Sequence, residues 1–265
     1  MRLSWSTDIH LNFLSPEKRA EFGSRVAADD PDAVLVTGDI SEAPELAGHL
    51  ADLQAEVGRP LYFVLGNHDY YRASIAGVRG MVRELSEKHS GLSWLPAVGV
   101  VELTPRTALV GIDGWGDARV GNWEHTRVRF KDVRLIEELV IDDYPEIVRR
   151  LRALGDAEAG ALRPVLADAC ARYSEVMVAT HVPPFREACW HKGHMCHPEF
   201  LPWLACSAVG DVLVAAAEEH TDCRLTVLCG HTHGQGSVEV RDNLVVHTGG
   251  AVYGAPAVSR VFDVE

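Results

Sequence analysis

The sequence has no apolar stretch approaching the roughly 18 residues that a membrane span needs, so no membrane partner is expected. It has no C-x-x-C pair either. The six cysteines, at positions 170, 189, 196, 206, 223 and 229, follow no disulfide framework, which predicts reduced thiols in a cytoplasmic protein. Positive charge is scarce: 25 Lys and Arg against 38 Asp and Glu leave −13 with His neutral. Such a field repels a polyanion and disfavours long nucleic acid as a partner, although bound metals reverse the potential locally. Repeats, low-complexity tracts and interdomain linkers are missing too, so the 265 residues predict one domain, 1–265, with a sizeable core. A strand-like run begins directly after Met1-Arg2, so no cleavable signal peptide is expected.

What is present is a repeated event. Five times a short apolar run stops and is followed within a residue or two by Asp, Asn or His. Residues 3–7 lead to Asp8 and His10, 33–37 to Gly38-Asp39, and 61–65 to Gly66-Asn67-His68-Asp69. Residues 176–180 then lead to His181, and 225–229 to Gly230-His231-Thr232-His233. Ligands of α/β sheets bind beyond the carboxyl ends of strands, so seven metal-ligand side chains are expected on one rim: Asp8, His10, Asp39, Asn67, His181, His231 and His233. Within each i, i+2 pair, extended backbone would keep both side chains on one side.

Helix-like segments alternate with the first strands, at 16–28 behind the Ser15-Pro16 cap, at 43–57 and at 74–89, and a longer one covers 142–170. Residues 107–112 read as a strand, and 236–240 with 244–247 as a hairpin around Asp242-Asn243. Short strands near 98–103 and 258–264 are expected to extend a second sheet. Segments 113–131 and 183–210 break the alternation and predict loop insertions that shape a pocket.

Carboxylate, imidazole and amide donors without thiolate suit manganese, iron or zinc. Seven ligands are too many for one ion but serve two ions sharing a carboxylate. The five motifs, Asp8-x-His10, Gly38-Asp39, Gly66-Asn67-His68-Asp69, His181 and Gly230-His231-Thr232-His233, resemble in order those of the calcineurin-like metallophosphoesterases. The resemblance implies a four-layer α/β/β/α sandwich with two mixed β-sheets and a dinuclear site at the strand C-terminal ends. It further implies that Asp8, His10 and His233 hold one metal and Asn67, His181 and His231 the other, with Asp39 bridging. His68 resembles the family's catalytic histidine, acting on the leaving oxygen while protonated, which calls for a carboxylate partner. Glu42 stands where the protein-phosphatase branch has an orienting Asp, and Asp69 is the competing partner. The run Gly38-Asp39-Ile40-Ser41-Glu42-Ala43-Pro44 departs from that branch's pattern and weakens a protein-phosphatase assignment.

The implied function is metal-dependent hydrolysis of a phosphate ester, a metal-bridging hydroxide attacking phosphorus in line. A phosphatase on a small-molecule phosphomonoester is the first reading and a phosphodiesterase the alternative; a non-catalytic scaffold is opposed by the complete ligand set. Arg72 and Arg186 are candidate phosphate clamps or surface ion pairs. Trp115, Trp190 and Trp203 either stack on substrate or anchor loops. Cys189, His191, His194, Cys196 and His197 could bind a structural zinc in no common pattern, or His191 and His194 could line the pocket. His247 reads as structural.

Overall fold

The computed structural model describes residues 1–265. Alternation of apolar side chains with period two lets each central strand serve two cores. Strands β1 (Arg2–Ser6), β2 (Ala33–Thr37) and β3 (Leu61–Val64) direct Leu3, Trp5, Leu35 and Val64 into one cluster and Val34, Val36 and Phe63 into another. Strands β6 (Thr107–Gly111), β7 (Glu175–Ala179) and β10 (Arg224–Cys229) add Leu109, Met177, Ala179 and Leu228 to the first of these clusters. That cluster is the layer between two sheets. Leu35 in it is fully buried, and Leu35→Ala is expected to cost about 2–5 kcal/mol.

Helices cover both outer faces. α1 (Pro16–Ala28), α2 (Ala43–Val57) and α3 (Ile75–Lys88) pack Phe22, Val26, Leu46, Leu50, Val78 and Val82 on the first sheet. α4 (Tyr144–Arg172) and α5 (Ser207–Glu219) pack Leu162, Leu166, Val209 and Leu213 on the second. Serine caps open two of these helices: Ser15 accepts from Lys18 N with Pro16 in the first turn, and Ser74 accepts from Gly77 N. The result is the expected α/β/β/α sandwich.

The first sheet has the order β13-β1-β2-β3-β4, with β4 at Leu92–Trp94 and β13 at Arg260–Asp263. The second runs β11-β12-β10-β7-β6-β5, with β5 at Val101–Glu102, β11 at Gly236–Arg241 and β12 at Leu244–Thr248. Both are parallel inside with antiparallel edges, β13 in one, β5 and β11 in the other. One expectation is corrected: β13 joins the first sheet, not the second. It pairs Asp263 with Arg2 and covers an edge of β1 that would otherwise expose unpaired backbone groups.

The two irregular segments knit together above the strand ends. Backbone N–H groups of Asp117, Ala118 and Asn122 donate to carbonyls of Ala205, Pro202 and Pro198, and Thr126 Oγ1 donates to Glu199 O. The second segment holds a small hairpin, β8 (Trp190–His191) with β9 (His194–Met195), and the single-turn helix Leu201–Leu204.

Candidate metal centre

Five of the seven expected ligands sit in left-handed backbone: Asp8 (φ 50°), His10 (41°), Asp39 (51°), His231 (69°) and His233 (57°). The extended geometry expected for the i, i+2 pairs is therefore not what brings them together. Each left-handed residue costs on the order of 1 kcal/mol, and Asp and His tolerate the conformation better than most. Strain concentrated this way is held by the surrounding bonds. Asp8 N donates to Gly38 O and His10 N to Asp39 O, while the Asp8 carboxylate accepts from Thr7 Oγ1 at 2.7 Å and from His231 N at 3.0 Å. Gly66 is required by close approach: a Cβ there would strike the Asp39 carboxylate and His181 Nε2.

The donors fall into two groups that share Asp39. Asp8, His10, Asp39 and His233 present ligand atoms all within 4.8 Å of one another, and so do Asp39, His181 and His231. His10 Nε2 and His233 Nε2 are 3.3 Å apart, His233 Nε2 lies 3.2 Å from Asp8 Oδ1, and His181 Nε2 lies 3.3 Å from Asp39 Oδ1.

The hydrogen bonds leave the inward nitrogens bare. His181 Nδ1 donates to Thr37 O at 2.9 Å, which leaves Nε2 as a lone-pair donor. His231 does the reverse, Nε2 donating to Trp203 O at 3.1 Å and Nδ1 facing His181 Nε2. Asn67 Oδ1 is buried with no hydrogen-bond partner. A buried orphan oxygen among bare imidazole nitrogens fits two cations.

Burial lowers His10 and His231 to about 3 and keeps them neutral, while at His233 the hydrogen bond to Asp8 and the Asp8 and Asp39 charges outweigh burial and raise the imidazole. Burial tends to raise Asp8, but its hydrogen bond from His233 and the neighbouring imidazoles hold it below the usual carboxylate range. Asp39 is raised by burial and by the Asp8 charge, as expected of two carboxylates forced together before a cation arrives.

The sequence profile of the calcineurin-like phosphoesterases matches residues 1–235. The chain belongs to this family. Its members depend on two metal ions, and the two donor groups are the candidates to hold them here. The phosphopantetheinyl hydrolase of Mycobacterium tuberculosis has a similar fold, at TM-score 0.69 and 16% identity over 94% of this chain and 89% of that one. A dimetal phosphatase from Danio rerio matches at TM-score 0.59 and 14% identity, covering 97% and 89%. GAP50, the anchor in the inner membrane complex of Plasmodium, matches at 0.51 and 11%, covering 94% and 71%. No curated protein matches the sequence.

In this phosphoesterase His68 stands beside the donors, its Nε2 3.9 Å from Asp39 Oδ2 and its ring stacked on Tyr71. Neither expected carboxylate reaches it. The Glu42 carboxylate pairs with Arg72 Nε at 3.0 Å, and Asp69 is spent on the backbone N–H groups of Ile40, Ser41 and Gly66. His68 Nδ1 has no partner, and burial lowers the imidazole to about 2. The geometry thus favours a neutral imidazole over the protonated one expected.

The candidate substrate residues divide sharply. His191 lines a cavity of about 440 Å³ beside the centre and bonds Thr232 O through Nδ1. Trp115 does not reach it, being 2% exposed and packed on Tyr70, because the chain dips into the core directly after β6. Trp190 packs against Gly236, while His194 is exposed and lies outside the cavity. Arg72 is held by Glu42, and Arg186 is exposed outside the cavity, so neither forms the expected clamp. Trp203 is an anchor, its ring stacked on Phe130 and its Nε1 donating to Val128 O. No structural zinc site assembles: Cys189 is buried, its thiol directed at Phe185 O and Leu204 O. His247 bonds Ser237 Oγ, a structural role.

Sequence reasoning missed the apolar wall of that cavity, Phe130, Met195, Phe200, Leu204 and Tyr253. Tyr253 lies against the rings of His10 and His233 at 4.5 and 4.8 Å. Asp113 was also missed, although it ends β6 as the motifs end their strands. It accepts from Leu65 N, Trp94 Nε1 and Tyr70 OH and so braces the third motif from behind.

Proposed function

We propose that this phosphoesterase hydrolyses a small phosphodiester with an apolar organic group, at two ions of manganese, iron or zinc. One observation carries the choice: the cavity opening onto His231 and His233 is walled by Phe130, Met195, Phe200, Leu204 and Tyr253, and no Lys or Arg lines it. A diester phosphate has one negative charge where a monoester has up to two, so a site with no fixed cation beyond its metals matches the diester better. The sequence put the monoester first without separating the two, and its candidate phosphate clamps, Arg72 and Arg186, do not line this cavity. By its name the Mycobacterium tuberculosis neighbour acts on a phosphopantetheinyl group, and an ester with a long organic arm would use a groove of this kind.

When bound, the metals would neutralise phosphoryl oxygens and lower the pKa of attacking water. The chain's own residues do the rest. Asp8, Asp39, Asn67 and the four ligating histidines fix the ions, and Tyr253 and Phe130 exclude water beside them. His68, neutral, offers an N–H to the departing alkoxide, a hydrogen bond that strengthens as charge develops there. The six free thiols are in keeping with a reducing compartment such as the cytoplasm. No helix is long and apolar enough to cross a membrane.

The test is a paired assay with bis(p-nitrophenyl) phosphate and p-nitrophenyl phosphate on metal-stripped protein reloaded with manganese, iron or zinc. The diester should give the higher kcat/KM. A monoester preference would return the phosphatase reading, and no turnover with any metal would remove the hydrolase reading altogether.

A further inference from the structure

Asn67 has the weakest donor of the seven ligands, a neutral amide oxygen, and the structure braces it from outside the five motifs. Its Nδ2 donates to Asp132 Oδ1 at 2.9 Å and meets Tyr71 OH at 3.2 Å, while Tyr71 OH donates to the same Asp132 oxygen at 2.8 Å. Asp132 is 5% exposed and opens the single-turn helix Asp132–Leu135, in the segment between β6 and α4. No arginine or lysine pairs with it in the structure; burial raises its carboxyl, and the hydrogen bonds from Tyr71 and Asn67 are the main groups that hold it down. Burying a carboxylate for a pair of neutral donors is costly unless something else gains.

We propose that Asp132 is a positioning residue that makes Asn67 a ligand of the second metal ion, so that the segment after β6 sets that ion's affinity. Two effects act together. A carboxylate only accepts hydrogen bonds, so the amide nitrogen must face it and the oxygen must face the other way; that oxygen is the buried orphan of the centre. A full negative charge on the amide N–H also polarises the group and enriches the oxygen in electron density, as outer carboxylates do for ligating histidines. The inference rests on the dinuclear reading, and the wild-type arm of the experiment tests that reading separately.

Metal-stripped protein is titrated with Mn²⁺, following occupancy by calorimetry and the conversion of an isolated-ion to a spin-coupled EPR signal. Wild type should bind two ions; one or none would sink the dinuclear reading itself. Asp132→Asn, which lets the amide flip, should weaken the second ion about 10- to 100-fold and leave the first unchanged. Tyr71→Phe, which keeps the carboxylate, should weaken the second ion less and supplies the measurement if Asp132→Asn does not fold. The proposal is overturned if either folded variant binds both ions as wild type does, or weakens both ions equally.

Discussion

The two halves of the candidate metal centre are built differently. The half formed by Asp8, His10 and His233 is held by the strand-end turns themselves: Thr7 and the His231 N–H grip Asp8, and Gly38 and Asp39 carbonyls receive the turn. The half formed by Asn67, His181 and His231 borrows support from the irregular segments, with Trp203 O holding His231 and Asp132 holding Asn67. The first belongs to the sandwich and the second is completed by what was added to it. A chain can therefore keep the fold and the first half while altering the second.

The change that should erase the distinction is Asp39→Asn. Asp39 is the one residue in both donor groups, and an amide cannot bridge two cations as a carboxylate does. Both ions should weaken and kcat/KM should fall on the order of 10³-fold or more. Full activity with two bound ions would refute the shared role. His68→Ala probes neither half, because His68 is outside both groups. Metal content should stay at two while kcat drops about 10²-fold, least for nitrophenol leaving groups, which need little help; lost metal would make His68 a ligand instead.

The contrast between halves also explains what the sequence disclosed. All seven candidate ligands were legible because each follows an apolar run directly, so local order in the chain is local order in space. Glu42 was misread for the same reason: its position three residues after Asp39 said nothing of Arg72, which reaches it from the turn after the third motif. Trp115, Asp132 and Tyr253 depend on how segments without periodicity fold back, and no spacing rule reports that. The strand 258–264 was visible as a strand, but its choice of sheet was a long-range matter decided at the open edge of β1.

Gly116→Ala separates the halves from the other direction. A Cβ on Gly116 would strike the Trp203 carbonyl, the acceptor that orients His231. The second ion should weaken about 10-fold with the first unaffected, read by the same Mn²⁺ titration; equal weakening of both would mean that Trp203 supports the whole centre.

Acid should expose the electrostatic state common to both halves. His10, His68 and His231 have folded pKa values lowered by burial to about 3, 2 and 3, against 6.5 unfolded. At these three groups the unfolded chain binds more protons, so each contributes stability to the metal-free protein that is fully present above pH 6.5 and is lost as pH falls below it, whereas Asp69, raised by burial and the Asp39 charge to about 8, contributes with the opposite sign. His68→Ala removes one such group without removing a ligand, and should flatten that slope by up to about 1.4 kcal/mol per pH unit. Urea unfolding of both proteins between pH 5 and 7 measures it, and parallel slopes would show His68 charged in the folded state.

The smallest effect belongs to the cavity wall, beyond both halves. Phe200 is 42% exposed, so it gives a substrate only part of a buried side chain's contact. Phe200→Ala should raise KM about 3- to 10-fold for an aryl or long-alkyl diester, leaving kcat and the KM of a dimethyl ester unchanged. The discriminating quantity is the difference between the two esters, because damage to the metal centre would affect both alike. If dimethyl and aryl esters respond equally, the wall is not where the organic group lies, and the diester preference would have to come from the ions alone.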